Sequence, residues 1–259
     1  MKLHAETVGR GPALVLLHGW GLHSGIWAPL LPALAQSYRV TCVDLPGHGH
    51  SAPPRGGCGL AETAAAVATL APRPAAWLGW SLGGQVALAA ALAGADITRL
   101  ALVATTPRFV LAPDWPCAMA PATLAGFAAS LGEDHARTLR DFLTLQLRGD
   151  RRAASLLAAL RATLAERPPP DPAALAAGLE ILAATDLREE LPAVRQPALV
   201  IAGERDRLTP AEAGRRLADA LPDARFELLP GAAHAPFLNH PEGFLGHLGA
   251  FLRGGRDAA

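Results

Sequence analysis

Three residues far apart in the chain have the types and order needed for nucleophilic catalysis. Gly79-Trp80-Ser81-Leu82-Gly83 lies between the apolar run Ala75–Leu78 and the alanine-rich stretch Gln85–Ala93. G-x-S-x-G between a strand and a helix makes a sharp turn that lifts the serine hydroxyl above a sheet edge. The glycines are needed because strand and helix come too close for a Cβ. A serine hydroxyl is a poor nucleophile until a base takes its proton, and an acid must hold that base in one tautomer. In one known chain order the acid and then the histidine follow the serine. Asp206 is the acid candidate, in the segment Gly203-Glu204-Arg205-Asp206-Arg207-Leu208-Thr209-Pro210 just past the run Ala198–Ala202. Glu204 competes with it but sits closer to the strand. His234 is the base candidate, among the small residues of Gly231-Ala232-Ala233-His234-Ala235 past the run Arg225–Leu229. His240, just before Pro241, and His247, inside the helix that follows, are the alternatives.

Acyl transfer also needs backbone N–H groups where negative charge develops on the carbonyl oxygen. One is expected from Leu82, the residue after the nucleophile. The other is expected from Trp20 in His18-Gly19-Trp20-Gly21, where the glycines let the backbone approach and His18 braces the loop. Trp20 and Trp80 would flank Ser81 with a large apolar wall. The segment Asp44-Leu45-Pro46-Gly47-His48-Gly49-His50-Ser51 offers an acid and two histidines. Its alternation with Gly and Pro reads as a tight strand-exit loop, and we assign no metal.

Short apolar runs bounded by turn residues must position these groups: Ala13–Leu17, Arg39–Val43, Ala75–Leu78, Leu100–Ala104, Ala198–Ala202 and Arg225–Leu229. Several are continuous rather than alternating, as in parallel strands buried on both faces. Helical patterns alternate with them at Ile26–Ser37, Leu60–Leu70, Leu82–Ala93, Ala211–Leu221 and Pro241–Arg253. This alternation predicts an α/β fold with a mostly parallel central sheet flanked by helices, and ligands at the carboxyl ends of the strands. From Pro107 to Glu190 only helical patterns occur: Pro121–Leu131, Glu133–Arg148, Arg151–Glu166 and Pro172–Ala184. Ordinary connections are far shorter, so residues 107–190 are expected to form a helical cap inserted into a core made of 1–106 and 191–259.

With 51% hydrophobic and 18% charged residues the composition is that of a globular chain. Lys+Arg and Asp+Glu balance at 23 each, so any charged partner must be met by a local patch rather than by net charge. Cys42, Cys58 and Cys117 are too few and too scattered for a disulfide framework or a zinc site. Apolar stretches are broken before about 18 residues, which predicts no membrane span. The first residues lack a signal-peptide core, and the expectation is a cytoplasmic monomer that needs no cofactor.

These motifs resemble those of the α/β-hydrolases, and more narrowly of the pimeloyl-acyl-carrier-protein methyl ester esterases of biotin synthesis. The resemblance is carried by Leu16-Leu17-His18-Gly19-Trp20-Gly21-Leu22, Val43-Asp44-Leu45-Pro46-Gly47, Trp77-Leu78-Gly79-Trp80-Ser81-Leu82-Gly83-Gly84, Phe142-Leu143-Thr144-Leu145-Gln146, Gly178-Leu179-Glu180-Ile181-Leu182 and Ala232-Ala233-His234-Ala235-Pro236-Phe237. It implies hydrolysis of a methyl ester on a pimeloyl chain held by acyl carrier protein. Ser81, Asp206 and His234 match the triad, Trp20 and Leu82 the oxyanion and substrate contacts, and Phe142, Leu143, Thr144, Leu145 and Gln146 the substrate-lining segment. In such proteins cap arginines receive the acidic carrier. Here Arg137 matches such a position, whereas Asp141, Ala154 and Ala158 stand where arginines are expected. Arg140, Arg148, Arg151, Arg152 and Arg161 lie nearby, so the patch is expected to persist with shifted members. The same motifs would also serve a general short-chain esterase, a lactonase, a C–C bond hydrolase or a non-catalytic ligand-binding protein.

Overall fold

The computed structural model describes residues 1–54, 56–146 and 153–254, with Ala159 described by its backbone alone. In chain order the elements are β1 (Ala5–Val8), β2 (Ala13–Leu17), α1 (Leu31–Leu34), β3 (Arg39–Val43), α2 (Leu60–Leu70), β4 (Ala75–Trp80), α3 (Leu82–Leu92) and β5 (Ile97–Val103). Four helices follow, α4 (Pro121–Glu133), α5 (His135–Gln146), α6 (Ala153–Ala165) and α7 (Pro172–Ala184). The chain then returns to the sheet with β6 (Ala198–Gly203), α8 (Ala211–Ala220), β7 (Ala224–Leu229), α9 (Pro236–Asn239) and α10 (Pro241–Leu252).

The strands lie in the order β1-β3-β2-β4-β5-β6-β7, all parallel except β1, which runs antiparallel to β3. The chain leaves β2 to one side and resumes at β4 on the other. Loops at the carboxyl ends of β2 and β4 therefore splay apart and open a crevice, the usual ligand position in such sheets. His18–Gly21 and Ser81 occupy those two ends.

Continuous apolar strands explain the two-sided burial. One sheet face packs Leu14, Leu16, Leu78, Trp80, Val103 and Ile201 against Trp27, Leu30, Phe237, Phe244 and Leu248. The other packs Val15, Leu17, Trp77, Leu102 and Val200 against Val67 of α2, Val86 and Leu88 of α3 and Leu217 of α8. Each such side chain contributes roughly 1.5–3 kcal/mol by leaving water.

Two expectations change. β1 was not foreseen, because Glu6, Thr7 and Val8 are exposed on an edge strand and carry no apolar run. The single helix expected over Ile26–Ser37 is instead a 3-10 turn at Ser24–Trp27 followed by the four-residue α1. Pro29 has no N–H for a helix interior, and Pro32 fits only the first turn of a new one.

The insertion between β5 and β6 is closed on itself at its ends and tied to the core between α6 and α7. At its ends, Leu187 N donates to Pro107 O at 3.0 Å and Arg108 Nη1 meets Asp186 Oδ2 at 2.7 Å. Arg188 binds Asp186 Oδ1 at 2.8 Å and Asp114 Oδ2 at 2.8 Å, and the Arg188 bonds hold the Asp186 carboxyl down at about 2. Between α6 and α7, Arg167 reaches Ser24 Oγ and Asp44 Oδ2, both at 3.0 Å, and Glu6 Oε2 at 2.9 Å. Asp171 N donates to Gly47 O at 2.8 Å, and its carboxylate caps α7 through Ala173 N and Ala174 N.

Candidate active site

β4 ends and α3 begins around Ser81, which has φ 55° and ψ −120°. A positive φ is unusual for a residue with a Cβ, and it is held here by the surroundings. Ser81 N donates to Val103 O at 2.9 Å, and Ser81 O accepts from Thr105 Oγ1 at 2.7 Å. The flanking glycines are required: a Cβ on Gly83 would lie 2.5 Å from Leu17 O, and one on Gly84 would lie 2.6 Å from the Thr105 side chain. A Cβ on Gly19 would lie 3.2 Å from Ser81 Cβ, which puts the His18–Gly21 loop directly against the serine.

Asp206 and His234 meet beside this turn. Asp206 Oδ1 accepts from Leu208 N at 2.8 Å and Thr209 N at 2.9 Å, and Oδ2 accepts from Thr209 Oγ1 at 2.6 Å and His234 Nδ1 at 2.8 Å. A carboxylate only accepts, so Nδ1 carries the proton and Nε2 is left as a bare acceptor. Nε2 is buried and, among the described residues, has no hydrogen-bond partner. Trp80, the residue before Ser81, donates Nε1 to His234 O at 2.8 Å and sets its ring 5.6 Å from the imidazole. Such an acceptor beside a strand-to-helix serine turn is what a general base looks like before substrate binds.

The competing residues are engaged elsewhere. Glu204 Oε2 accepts from Gly231 N at 2.7 Å, and His247 pairs with Glu227 at 3.3 Å. His240 packs near Gly231. His18 donates Nδ1 to Gly19 O at 2.8 Å and accepts Leu45 N on Nε2 at 2.9 Å. Burial, with His48 beside it, pushes His18 down to about 3, so it is a neutral brace. His48 is likewise pushed down by burial and accepts Gly21 N at 3.3 Å.

Leu82 opens α3, where the first N–H groups have no partner inside the helix and point toward the turn. The Trp20 indole donates Nε1 to Leu175 O at 2.8 Å, and its ring stands edge-on to Phe142 at 4.7 Å between centroids. Trp20, Leu82, Phe142, Leu175 and Leu179 form one apolar cluster, with Leu145 packed on it. Of the other residues expected to line the substrate, Leu143 turns into the sheet-face core with Trp27 and Trp80. Thr144 is exposed, its hydroxyl donating to Arg140 O at 2.8 Å, because α5 presents that face to solvent. Gln146 is buried and its backbone O accepts from His234 N at 3.1 Å. Arg137, Arg140 and Arg161 are exposed, Arg137 lying 3.7 Å from Asp141. Arg148, Arg151 and Arg152 lie outside the described residues.

Sequence reasoning passed over Thr209 and the Arg167–Asp44 pair. A hydroxyl three residues after Asp206 was the available sign of the first; nothing local marks the second, whose members are 123 residues apart.

Ser81, Asp206 and His234 are all buried, at 2%, 5% and 1% exposed.

Comparison with known proteins identifies the fold and the family. The family model described as the alpha/beta hydrolase fold matches residues 12–241. A protein of Xanthomonas oryzae pv. oryzae named pimeloyl-[acyl-carrier protein] methyl ester esterase is 47% identical, over 93% of this chain and 94% of that one. A Nitrosomonas europaea protein of the same name is 45% identical, over 94% of this chain and 97% of its own. Among solved structures, an esterase from Exiguobacterium antarcticum shares the fold, with a TM-score of 0.89, 22% identity and coverage of 97% and 96%. The enol-lactonase from Burkholderia xenovorans LB400 superposes with a TM-score of 0.83 and 29% identity, over 97% and 96%. By sequence and by fold, the chain belongs to the α/β-hydrolase family, in its group of pimeloyl-[acyl-carrier protein] methyl ester esterases.

Proposed function

We propose that this protein is a serine carboxylesterase that removes the methyl ester from a pimeloyl chain carried by acyl carrier protein, releasing methanol. Ser81 Oγ attacks the ester carbonyl while His234 Nε2 takes its proton, and Asp206 stabilises the imidazolium that forms. The N–H groups of Leu82 and Trp20 receive the oxyanion. His234 returns the proton to the departing methoxide, and methanol leaves an acyl-Ser81 ester. Water, deprotonated by the same nitrogen, then releases the free carboxylate and restores Ser81.

The observation that carries the chemistry is His234: one ring nitrogen committed to Asp206, the other bare, and its backbone O held by Trp80, the residue before the serine. The substrate rests on the names of relatives at 45–47% identity over nearly the whole chain. Residues 107–190 act in this reading as a cap, with the Trp20–Phe142 cluster as the apolar wall for the pimeloyl chain. The exposed Arg137, Arg140 and Arg161 on α5 and α6 suit an acidic carrier, together with Arg148, Arg151 and Arg152. We place the enzyme in the cytoplasm as a monomer acting in biotin synthesis; no described helix is long and apolar enough to cross a membrane.

The test is to offer methyl-pimeloyl carrier protein and follow its mass. Loss of the methyl group with the thioester intact is expected, and Ser81→Ala should leave the mass unchanged. Turnover of short esters with no action on the carrier-bound one would favour the general esterase.

A further inference from the structure

Resting on the assignment of Asp206 and His234 as acid and base, we propose that Thr209 is a positioning residue whose hydroxyl sets the pH at which His234 becomes a competent base. The two backbone donors on Asp206 Oδ1, Leu208 N and Thr209 N, would be supplied by any residue other than proline. Oδ2 is different, because the oxygen that holds His234 at 2.8 Å has the Thr209 hydroxyl as its other donor, at 2.6 Å. That length is typical of a charge-assisted O–H···O⁻ bond.

Thr209 Oγ1 also lies 3.3 Å from His234 Nδ1. The two distances decide where the hydroxyl proton points: toward the carboxylate, with only a long contact left to the ring. The hydroxyl therefore draws charge away from the atom that stabilises the imidazolium. Thr209 is 2% exposed, so water does not readily replace the donor it removes. Without it, Oδ2 turns its full charge on Nδ1–H, and His234 keeps its proton to higher pH.

Other charged groups around the pair are placed to act less directly. Arg205 and Arg207 are exposed in the Asp206 loop, and Glu204 is held by Gly231 N. Across the serine, burial pushes His18 and His48 down to the neutral form. On α5, which reaches His234 through Gln146, the residues His135, Arg137, Arg140 and Asp141 are exposed, and on α8 Glu212 pairs with Arg216 at 3.0 Å. Among the described residues only Thr209 touches both Asp206 and His234 through one side-chain atom.

The experiment compares full-length wild type, Thr209→Val and Thr209→Ser by the pH profile of kcat/KM on a chromogenic short-chain ester, with thermal unfolding alongside. Val keeps the branched shape and the backbone donor and deletes only the hydroxyl. Its lower limb is expected to move up by about one to two pH units, the equivalent of one hydrogen bond to a charged group. Thr209→Ser should overlay wild type. A folded Val variant whose limb stays put or moves down overturns the proposal, as does a Ser variant shifted like Val. If Val melts early, Thr209→Ala is read by the same criterion. Ser81→Ala separates the two levels: residual activity there overturns the triad itself, whereas a dead Ser81→Ala with an unmoved Thr209→Val limb overturns Thr209 alone.

Discussion

Replacing Arg167 by Met tests whether the long-range ion pair, rather than the packing around it, fastens the insertion. Met keeps most of the aliphatic stem and deletes the guanidinium. Arg167 is 11% exposed and Asp44 fully buried, with Nη1 and Oδ2 3.0 Å apart. Burial pushes the Asp44 carboxyl up, but the His50 amide, the nearby His18 and the Ser24 donors outweigh it and hold it at about 2. Asp44 is thus fully charged at neutral pH and must stay compensated. Removing one partner of a buried pair costs about 3–5 kcal/mol. Asp44 keeps the amides of Ser24 at 2.7 Å and His50 at 3.0 Å, so we expect less than that range, about 2–3 kcal/mol. The Glu6 arm adds little, since Glu6 is half exposed. For a chain of this size that is a fall in Tm of about 5–10 °C. The assay is a double-mutant cycle of Arg167→Met and Asp44→Asn by thermal and urea unfolding. A coupling above about 1 kcal/mol is expected, and additivity to within about 0.5 kcal/mol would refute the reasoning.

Ser81→Ala and His234→Ala should each abolish ester turnover in folded protein, and Asp206→Asn should lower kcat by roughly 10³–10⁴, because triad members act as a unit. Steady-state kinetics beside circular dichroism checks this; a silent Asp206→Asn with a dead Glu204→Gln would move the acid. Phe142→Ala should reduce kcat/KM for a seven-carbon methyl ester at least tenfold more than for methyl acetate, since only the longer chain reaches the Trp20–Phe142 cluster. Equal losses would make Phe142 a packing residue. Reversing Arg137, Arg140 and Arg161 to Glu should slow hydrolysis of carrier-bound ester and blunt its salt dependence while leaving a small neutral ester nearly unchanged. Parallel losses, or a wild-type carrier reaction indifferent to salt, would remove these arginines from docking.

Where burial is two-sided, the sequence was readable: the runs that became β2, β4 and β6 are apolar throughout and end at the loops that hold the site. β1 escaped because an edge strand needs ladder bonds to β3 but no apolar face. The proline pair at 29 and 32 outweighed a plausible helical pattern. In the site, order and position after strands brought Ser81, Asp206 and His234 together on paper, since each motif is local. Which side of α5 faces inward was not local information. Phe142 and Leu143 are neighbours in sequence yet enter different clusters, and Thr144 faces water. Thr209 was hidden for another reason: its hydroxyl could equally have capped the turn that its own N–H makes.

The fastenings of the insertion are unevenly distributed. Ion pairs tie its two ends to each other and the α6–α7 connection to Asp44 and Glu6, whereas among the described residues no salt bridge ties α4 or α5 to the sheet. Mechanically, the insertion is closed on itself at its root and bolted to the core by charge at the α6–α7 corner. Away from that corner, α5 sets Phe142 against Trp20, and at its end Gln146 O holds the backbone of the base-bearing loop. Any shift of the end of α5 therefore pulls on His234 N as well. On the proposed mechanism, a substrate that displaced α5 would leave the base short of one anchor until the helix settled again. Turnover would then depend on that settling as much as on entry.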